Sequence, residues 1–562
     1  MDIISIFHQK NPNTMKKLFV LFLLCSFQFV QAQFRFLPTP DPAHYPERTS
    51  LATIVANEAY QGYDETQAHF GEGEYSIFLD NVDGVLDYPI IVLDGFDPGD
   101  ARDINGLYAS LSFDGQNMAD ILRDEGYDIV ILNAPQYTTD GYDIDGGGDY
   151  IQRNALVLTA LIEELNAQKV GDGELVVLGP SMGGLIARYG LAYMEANSIP
   201  HETRLYISFD SPHRGANIPI SLQYLINYFA QENGDPTAVA LVDQVLNSPA
   251  AKEMLTDHLL GHLLAGDPIE QDPSKLLPAG APDFRDAFQT ELDNLGFPQE
   301  VRNVTMINGR GDGLGTGLPG TEVINTNLTI DTFTSLDVAL YFTPEANQTI
   351  TVTDLTAYFI GIPVATYNTL AEQPADIDGV DASPGGTGSI ADALSGGGGN
   401  PILEEFLAAL QQDLYSFIPT MSALAIDNPD WYAVPDLGDS PFVNTYIPSE
   451  NEPHVTVTAE SAQWALDEIR LPIASIADNT LANQIQLVEN PVENTIRLAV
   501  NPATQINTLT TTIYTLTGQQ VAQKVWSQPQ GELIWEQNLA TGVYVLSLSN
   551  GNTQTPIKLL VR

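Results

Sequence analysis

Cysteine is almost missing: the 562 residues contain one, Cys25. It lies inside an apolar N-terminal run, so a chain cleaved after Ala32 has no thiol at all. Disulfides, a cysteine nucleophile and thiolate metal sites are excluded for such a chain. Basic side chains are scarce as well. Lys and Arg together number 22 against 72 Asp and Glu, a formal net charge of −50. A surface of that sign repels nucleic acid and anionic headgroups, so no nucleic-acid partner is expected, and solvation is the expected use of the charge. Long hydrophobic runs are absent beyond residue 30, where nothing approaches the ~18 consecutive apolar residues of a membrane-spanning helix.

What is present starts with an export signal. Met15-Lys16-Lys17 forms a basic region, Leu18 to Val30 an apolar one, and Gln31-Ala32-Gln33 offers a small residue for cleavage. That order predicts a secretory signal peptide over 15–32, with translation beginning at Met15. Leu24 is too bulky for a lipoprotein signal, so Cys25 is not expected to anchor lipid. A chain of this length exceeds one ordinary core and predicts at least two domains.

From residue 88 apolar strand-like runs alternate with amphipathic stretches, which predicts an α/β domain with a mostly parallel sheet covered by helices. Strands are expected at 88–95, 128–133, 174–179, 204–209 and 301–308, and helices at 117–125, 151–168 and 182–196. Residues 219–295 read as helical, a cap of about 216–300 over an active site. Alternating stretches within 323–367 predict an inserted hairpin or two. The segment from Pro384 to Asn400, with Gly396-Gly-Gly-Gly399, reads as a loop inside an insertion of about 320–400. Helices near 403–414 and 459–469 close this domain, taken as 33–475, and Thr-, Val- and Asn-rich alternation over 480–562 predicts a small all-β sandwich.

Gly179-Pro180-Ser181-Met182-Gly183 fits G-x-S-x-G between an apolar strand and a helix. A serine there sits on a strained turn, and glycines two residues either side remove side chains that would collide. The turn exposes the hydroxyl and aims the first helical N–H groups at a developing oxyanion. With Gly184 and Ser211-Pro-His-Arg-Gly215, this stretch resembles the lipase- and esterase-like branch of the α/β-hydrolase superfamily, closely over 88–215 and loosely over 301–470. The resemblance implies an α/β-hydrolase sheet with a helical cap, Ser181 as nucleophile, and an oxyanion hole of the Phe96 and Met182 backbone N–H groups. Where the family commonly has His-Gly, this chain has Asp94-Gly95.

A serine hydroxyl needs an imidazole within hydrogen-bond reach. The resemblance implies the order serine, acid, histidine, and His454 is the sole histidine after His262. Two acids fit. Asp210 follows the strand after the nucleophile helix, and Asp312 follows the next strand within a glycine-dense loop; Asp210 is preferred and Asp312 is the alternative. His213 is expected to orient the start of the cap. His258 and His262, at i, i+4, are read as surface residues of a helix in preference to a metal site, so neither metal nor cofactor is expected.

At the far end, Asn490-Pro491-Val492, Tyr514-Thr-Leu-Thr-Gly518, Gly542-Val-Tyr-Val545 and Lys558-Leu-Leu-Val-Arg562 resemble the C-terminal sorting domain of type IX secretion substrates. That implies outer-membrane secretion machinery as a partner and a secreted or cell-surface location. A carbohydrate-binding module using Trp526 and Trp535 is the alternative. The expected function is hydrolysis of a small-molecule or lipid ester through Ser181, His454 and an acid. An amidase or acyltransferase on the same triad, or a binding protein on a non-catalytic hydrolase scaffold, are the competing readings.

Overall fold

The computed structural model describes residues 48–394, 401–471, 485–488, 490–501, 506–515, 520–550 and 554–562. The segment 15–32, read from the sequence as a signal peptide, and Gly396–Gly399 lie outside them. The chain divides into two compact units, Met1–Ile469 and Arg470–Arg562.

Eight strands form the central sheet of the first unit: β1 (Ala52–Tyr60), β2 (His69–Phe78), β3 (Pro89–Leu93), β4 (Asp128–Asn133), β5 (Leu175–Pro180), β6 (Thr203–Phe209), β7 (Arg302–Met306) and β8 (Asn444–Tyr446). Their spatial order is β1-β2-β4-β3-β5-β6-β7-β8. β1 and β2 are antiparallel to their neighbours, and β4 through β8 run parallel. One antiparallel edge and a single crossing of β3 and β4 in an otherwise parallel series is the α/β-hydrolase arrangement. β1 and β2 lie before residue 88, where no strand was expected; one face of this edge is exposed, and its positions mix Thr53, Asn57, Glu72 and Glu74 with Val55 and Phe70.

Alternate residues of the parallel strands enter separate cores. Ile91, Val130, Val177 and Tyr206 pack beneath α2 (Ile151–Gln168) and α3 (Met182–Ala196). Ile90, Ile129, Val176 and Ile207 pack on the opposite face against α1 (Met118–Asp124) and α6 (Ala459–Arg470). A period of two thus buries both faces, which is why these strands read as continuous apolar runs.

The cap is less helical than its composition suggested. α4 (Ile220–Tyr228) continues into a π-helical turn, Phe229–Asn233, and a second π-turn, Leu241–Leu246, precedes the short helix Pro249–Met254. From 255 to 284 the only helical piece is the 3₁₀ turn Leu259–Gly261, before α5 (Arg285–Leu295). The 323–367 insertion is a four-stranded antiparallel meander spanning Glu322–Thr329, Thr334–Tyr341, Thr349–Phe359 and Ile362–Glu372.

Part of the expected glycine-rich loop is a strand. Gly385–Ser389 pairs with Leu414–Pro419, so Leu414 begins a strand instead of ending a helix, which stops at Ala408. Glycine there is a packing requirement: a Cβ at Gly385 would lie 2.4 Å from Ser416 Oγ, and one at Gly388 2.4 Å from the Tyr415 ring.

The second unit contains a three-stranded and a four-stranded antiparallel sheet. Ile496, Leu498, Leu509, Ile513, Trp535, Leu546 and Leu559 form its core. Trp535 is therefore an interior side chain, while the Trp526 indole donates to Thr511 Oγ1 at 3.1 Å.

Candidate active site

The C-terminal ends of β5 and β6 lie side by side, and each ends in a residue with strained backbone. Ser181, directly after β5, has φ of 53°, and Asp210, directly after β6, has φ of 47°. Left-handed backbone is costly for both residue types and persists only where surroundings fix it. Here the Ser181 N–H donates to Phe209 O at 2.8 Å, and the Asp210 N–H to Met306 O at 2.8 Å. The small residues of the turn are set by clearance. A Cβ at Gly179 would stand 2.4 Å from Gly183 O, and one at Gly184 2.0 Å from Ser211 Oγ.

His454 reaches these two residues from a loop between β8 and α6. Its Nε2 lies 2.8 Å from Ser181 Oγ and its Nδ1 2.6 Å from Asp210 Oδ2. The His454 N–H donates to Thr387 O at 3.0 Å, which ties the loop to the short Gly385–Ser389 strand. The Phe417 ring stands edge-on to the imidazole with centroids 4.9 Å apart. Asp210 Oδ1 accepts the Asn308 N–H at 3.0 Å, so both carboxylate oxygens are engaged. Gly386 packs directly on this carboxylate: a Cβ there would fall 1.9 Å from Oδ2. All three side chains are buried.

Asp312 is elsewhere. Its side chain is 51% exposed and takes a hydrogen bond from Arg310 Nε at 2.6 Å, so the structure does not bring it to His454. His258 and His262 are buried and do not share a helical face. His258 is extended, accepts the Leu260 N–H and approaches Leu246 O, and burial pushes its imidazole down to about 4. His262 meets Asp257 Oδ1 at 2.5 Å. Among the described residues no group of three His, Cys, Asp or Glu is arranged to hold a metal ion. His213 is buried, with Nε2 2.9 Å from Ser208 Oγ beneath the start of the cap.

Phe96 and Met182 flank the serine. Met182 opens α3, and the Gly95-Phe96 loop comes so close that a Cβ at Gly95 would lie 3.2 Å from Ser181 Cβ. What fixes this loop was not anticipated. Arg102 Nη2 donates to Asp94 Oδ1 at 2.7 Å and to Phe96 O at 3.2 Å, while its backbone N–H donates to Asp97 Oδ2 at 2.8 Å. Burial pushes the Asp94 carboxyl up to about 7, Arg102 pulls against that, and Asp97 adds to it. In a chain with so few cations, the arginine just after Asp94-Gly95 was the available signal.

Beside Ser181 lies a small cavity of about 20 Å³ lined by Phe96, Pro212, Ala216, Met254, Leu255 and Phe417. These walls are apolar, so the surface next to the hydroxyl is hydrocarbon.

Comparisons with known proteins assign the second unit. Residues 490–562 match the family described as secretion system C-terminal sorting domain. The chain is therefore addressed to secretion machinery for delivery to the cell surface or the extracellular space, as its resemblance to type IX substrates implied. Among curated proteins there is no significant match. Solved structures similar to it include the Bacillus licheniformis lipase BlEst2. Its propeptide form is 9% identical, TM-score 0.29, over 86% of this chain and 95% of that one. Its mature form is 13% identical, TM-score 0.24, over 46% and 72%. Est1E from Butyrivibrio proteoclasticus is 12% identical, TM-score 0.23, over 42% and 74%. Scores this low leave the fold assignment resting on the strand order.

Proposed function

We propose that this chain is a secreted serine hydrolase that cleaves carboxylic esters through an acyl-enzyme intermediate. The observation that carries the reading is the hydrogen-bonded series Ser181–His454–Asp210 at the carboxyl edge of the sheet. His454 Nε2 takes the Ser181 proton as Oγ attacks the ester carbonyl carbon. Asp210 accepts the Nδ1–H, which holds the reactive tautomer and stabilises the imidazolium that forms. The carbonyl oxygen becomes an alkoxide facing the Phe96 and Met182 backbone N–H groups. Collapse of this intermediate expels the alcohol oxygen, which takes the proton from Nε2 and leaves the acyl group on Oγ. Water then repeats the sequence, releasing the carboxylic acid and restoring the serine.

The ester assignment draws on the apolar lining beside Ser181, which apart from that hydroxyl offers no oxygen or nitrogen side-chain group to pair with a peptide. The test is Ser181→Ala assayed with p-nitrophenyl butyrate and a fluorophosphonate probe. Turnover should fall about a millionfold and labelling should vanish, with the thermal melt unchanged. A variant that still labels, or that keeps a tenth of its turnover, overturns the proposal.

A further inference from the structure

One end of the four-stranded meander carries two turns that lie side by side. Thr334, which follows Phe333, pairs with Phe359, and Phe359 pairs in turn with Ile362. The Ile360 N–H joins the two turns by donating to Phe333 O at 2.7 Å. Five apolar side chains stand in solvent here: Phe333, Phe359, Ile360, Ile362 and Val364 are each 46–65% exposed. Val364 is the extra residue of a bulge, since Ala357 faces Ala365 and Tyr358 faces Pro363.

The turn between Phe359 and Ile362 is strained. A two-residue hairpin loop of this kind holds both positions in left-handed backbone, which Gly, Asn and Asp adopt readily. Gly361 has φ of 70°, but the other position is Ile360, with φ of 49°. A β-branched residue is an outlier there, and an exposed one recovers little through burial. Folding alone would favour asparagine.

Charge and area narrow what this tip can meet. The meander, Glu322 to Glu372, has six carboxylates and no Lys or Arg, and the chain has no Lys or Arg between Arg310 and Arg470. An anionic headgroup layer therefore finds no cation in this insertion. The five side chains expose about 500 Å² together, as much as the largest apolar patch of an ordinary monomer. A stable protein interface needs about 800 Å² from each partner, and a second copy of a chain with net charge −50 is repelled. Hydrocarbon sets no such minimum. It requires paired backbone groups, and the Ile360 N–H and Phe333 O pair with each other, while Asp331 Oδ1 accepts the Phe333 and Thr334 N–H groups at 2.7 and 2.9 Å.

We propose that this tip docks the protein on a zwitterionic lipid surface, with Phe333, Phe359 and Ile360 entering the hydrocarbon. The docking is independent of the ester-hydrolase reading, and its test needs no turnover. The unaltered protein should float with phosphatidylcholine vesicles, hold on at high salt, and bind less as phosphatidylglycerol replaces phosphatidylcholine. A half-exposed Phe or Ile that becomes buried in lipid contributes about fivefold in affinity, so Phe333→Ser, Phe359→Ser and Ile360→Asn combined should weaken binding about 100-fold. Ile360→Asn alone should weaken it about fivefold and raise the melting temperature by about 1 °C, because asparagine relieves the turn. That single variant serves if the combined one fails to fold. Failure of the unaltered protein to float, or variants that float as well as it does, overturns the proposal. So does a lower melting temperature for Ile360→Asn, which would make the isoleucine structural. A dimer in sedimentation that the combined variant converts to monomer also overturns it, by showing that a second copy covers the tip.

Discussion

Replacing Asp210 by asparagine changes one atom in a place where both carboxylate oxygens already have partners. Oδ1 accepts the Asn308 N–H at 3.0 Å, and Oδ2 faces His454 Nδ1 at 2.6 Å. Asparagine has one acceptor. If it keeps the Asn308 bond, its amide N–H₂ points at Nδ1, which then has to accept, so the ring proton moves to Nε2. That proton faces Ser181 Oγ, 2.8 Å away, and the imidazole can no longer take the serine proton. If the amide turns over, an N–H₂ is pressed against the Asn308 N–H in a buried space. The first arrangement preserves the fold and removes the base, an effect of about 10⁴ in kcat by analogy with other triads, equivalent to about 5.5 kcal/mol of transition-state stabilisation. The assay is the steady-state hydrolysis of p-nitrophenyl butyrate alongside a thermal melt, with Asp312→Asn in parallel. Asp312 meets only Arg310 and solvent-side backbone, so its variant should turn over at close to the original rate. Should Asp210→Asn retain more than about a hundredth of the turnover, or Asp312→Asn prove the inactive one, the assignment of the acid is wrong.

Three further expectations follow from contacts described above. Gly386→Ala forces a Cβ to within 1.9 Å of Asp210 Oδ2, so both turnover and melting temperature should fall; a fully active variant would mean that the strand yields without moving the acid. Asp94 holds its proton up to about 7 in the folded protein and up to about 3.8 when the chain is unfolded, so between those values the native state binds the extra proton and its contribution to stability declines as pH rises. Denaturant midpoints measured at about pH 4.5 and pH 7.5 should differ less in Asp94→Asn, and an unaltered difference would rule out this carboxyl as the source. Removal of residues 490–562 should leave the protein inside the cell, and immunoblots showing the truncated chain in the medium would contradict the sorting role.

The strained turn at Ser181 was legible because all its constraints are local: five consecutive residues carry both the positive φ and the glycines that make room for it. His454 stood out by scarcity, with no other histidine after His262. The acid was not resolvable in the same way. Asp210 and Asp312 both follow parallel strands, and what separates them is the Asn308 amide and the Gly386 clearance, contacts made from 98 and 176 residues along the chain. Glycine misled in the other direction. Gly385–Ser389 has the composition of a loop, yet its lack of side chains is what lets a strand pass between Ser416, Tyr415 and Asp210. His258 and His262 have helical spacing, but a Cβ at Gly261 would lie 2.7 Å from Ala279 O and the backbone between the two histidines closes as a single 3₁₀ turn. The edge strands β1 and β2 went unread because a half-exposed strand carries too little apolar signal to separate from loop.

Ser181 and Asp210 stand on neighbouring strands only 29 positions apart, whereas His454 lies 273 positions after the serine. The cap, the meander and the last strand of the sheet all intervene. Synthesis proceeds at about 5–20 residues per second, so the base leaves the ribosome roughly 14–55 seconds after the nucleophile. During that interval Ser181 has no His454 to pair with. Truncation anywhere before residue 454 leaves the same inert half-site. The contact between His454 and Ser181 is thus available only to a chain that has been made almost to the end of its first unit.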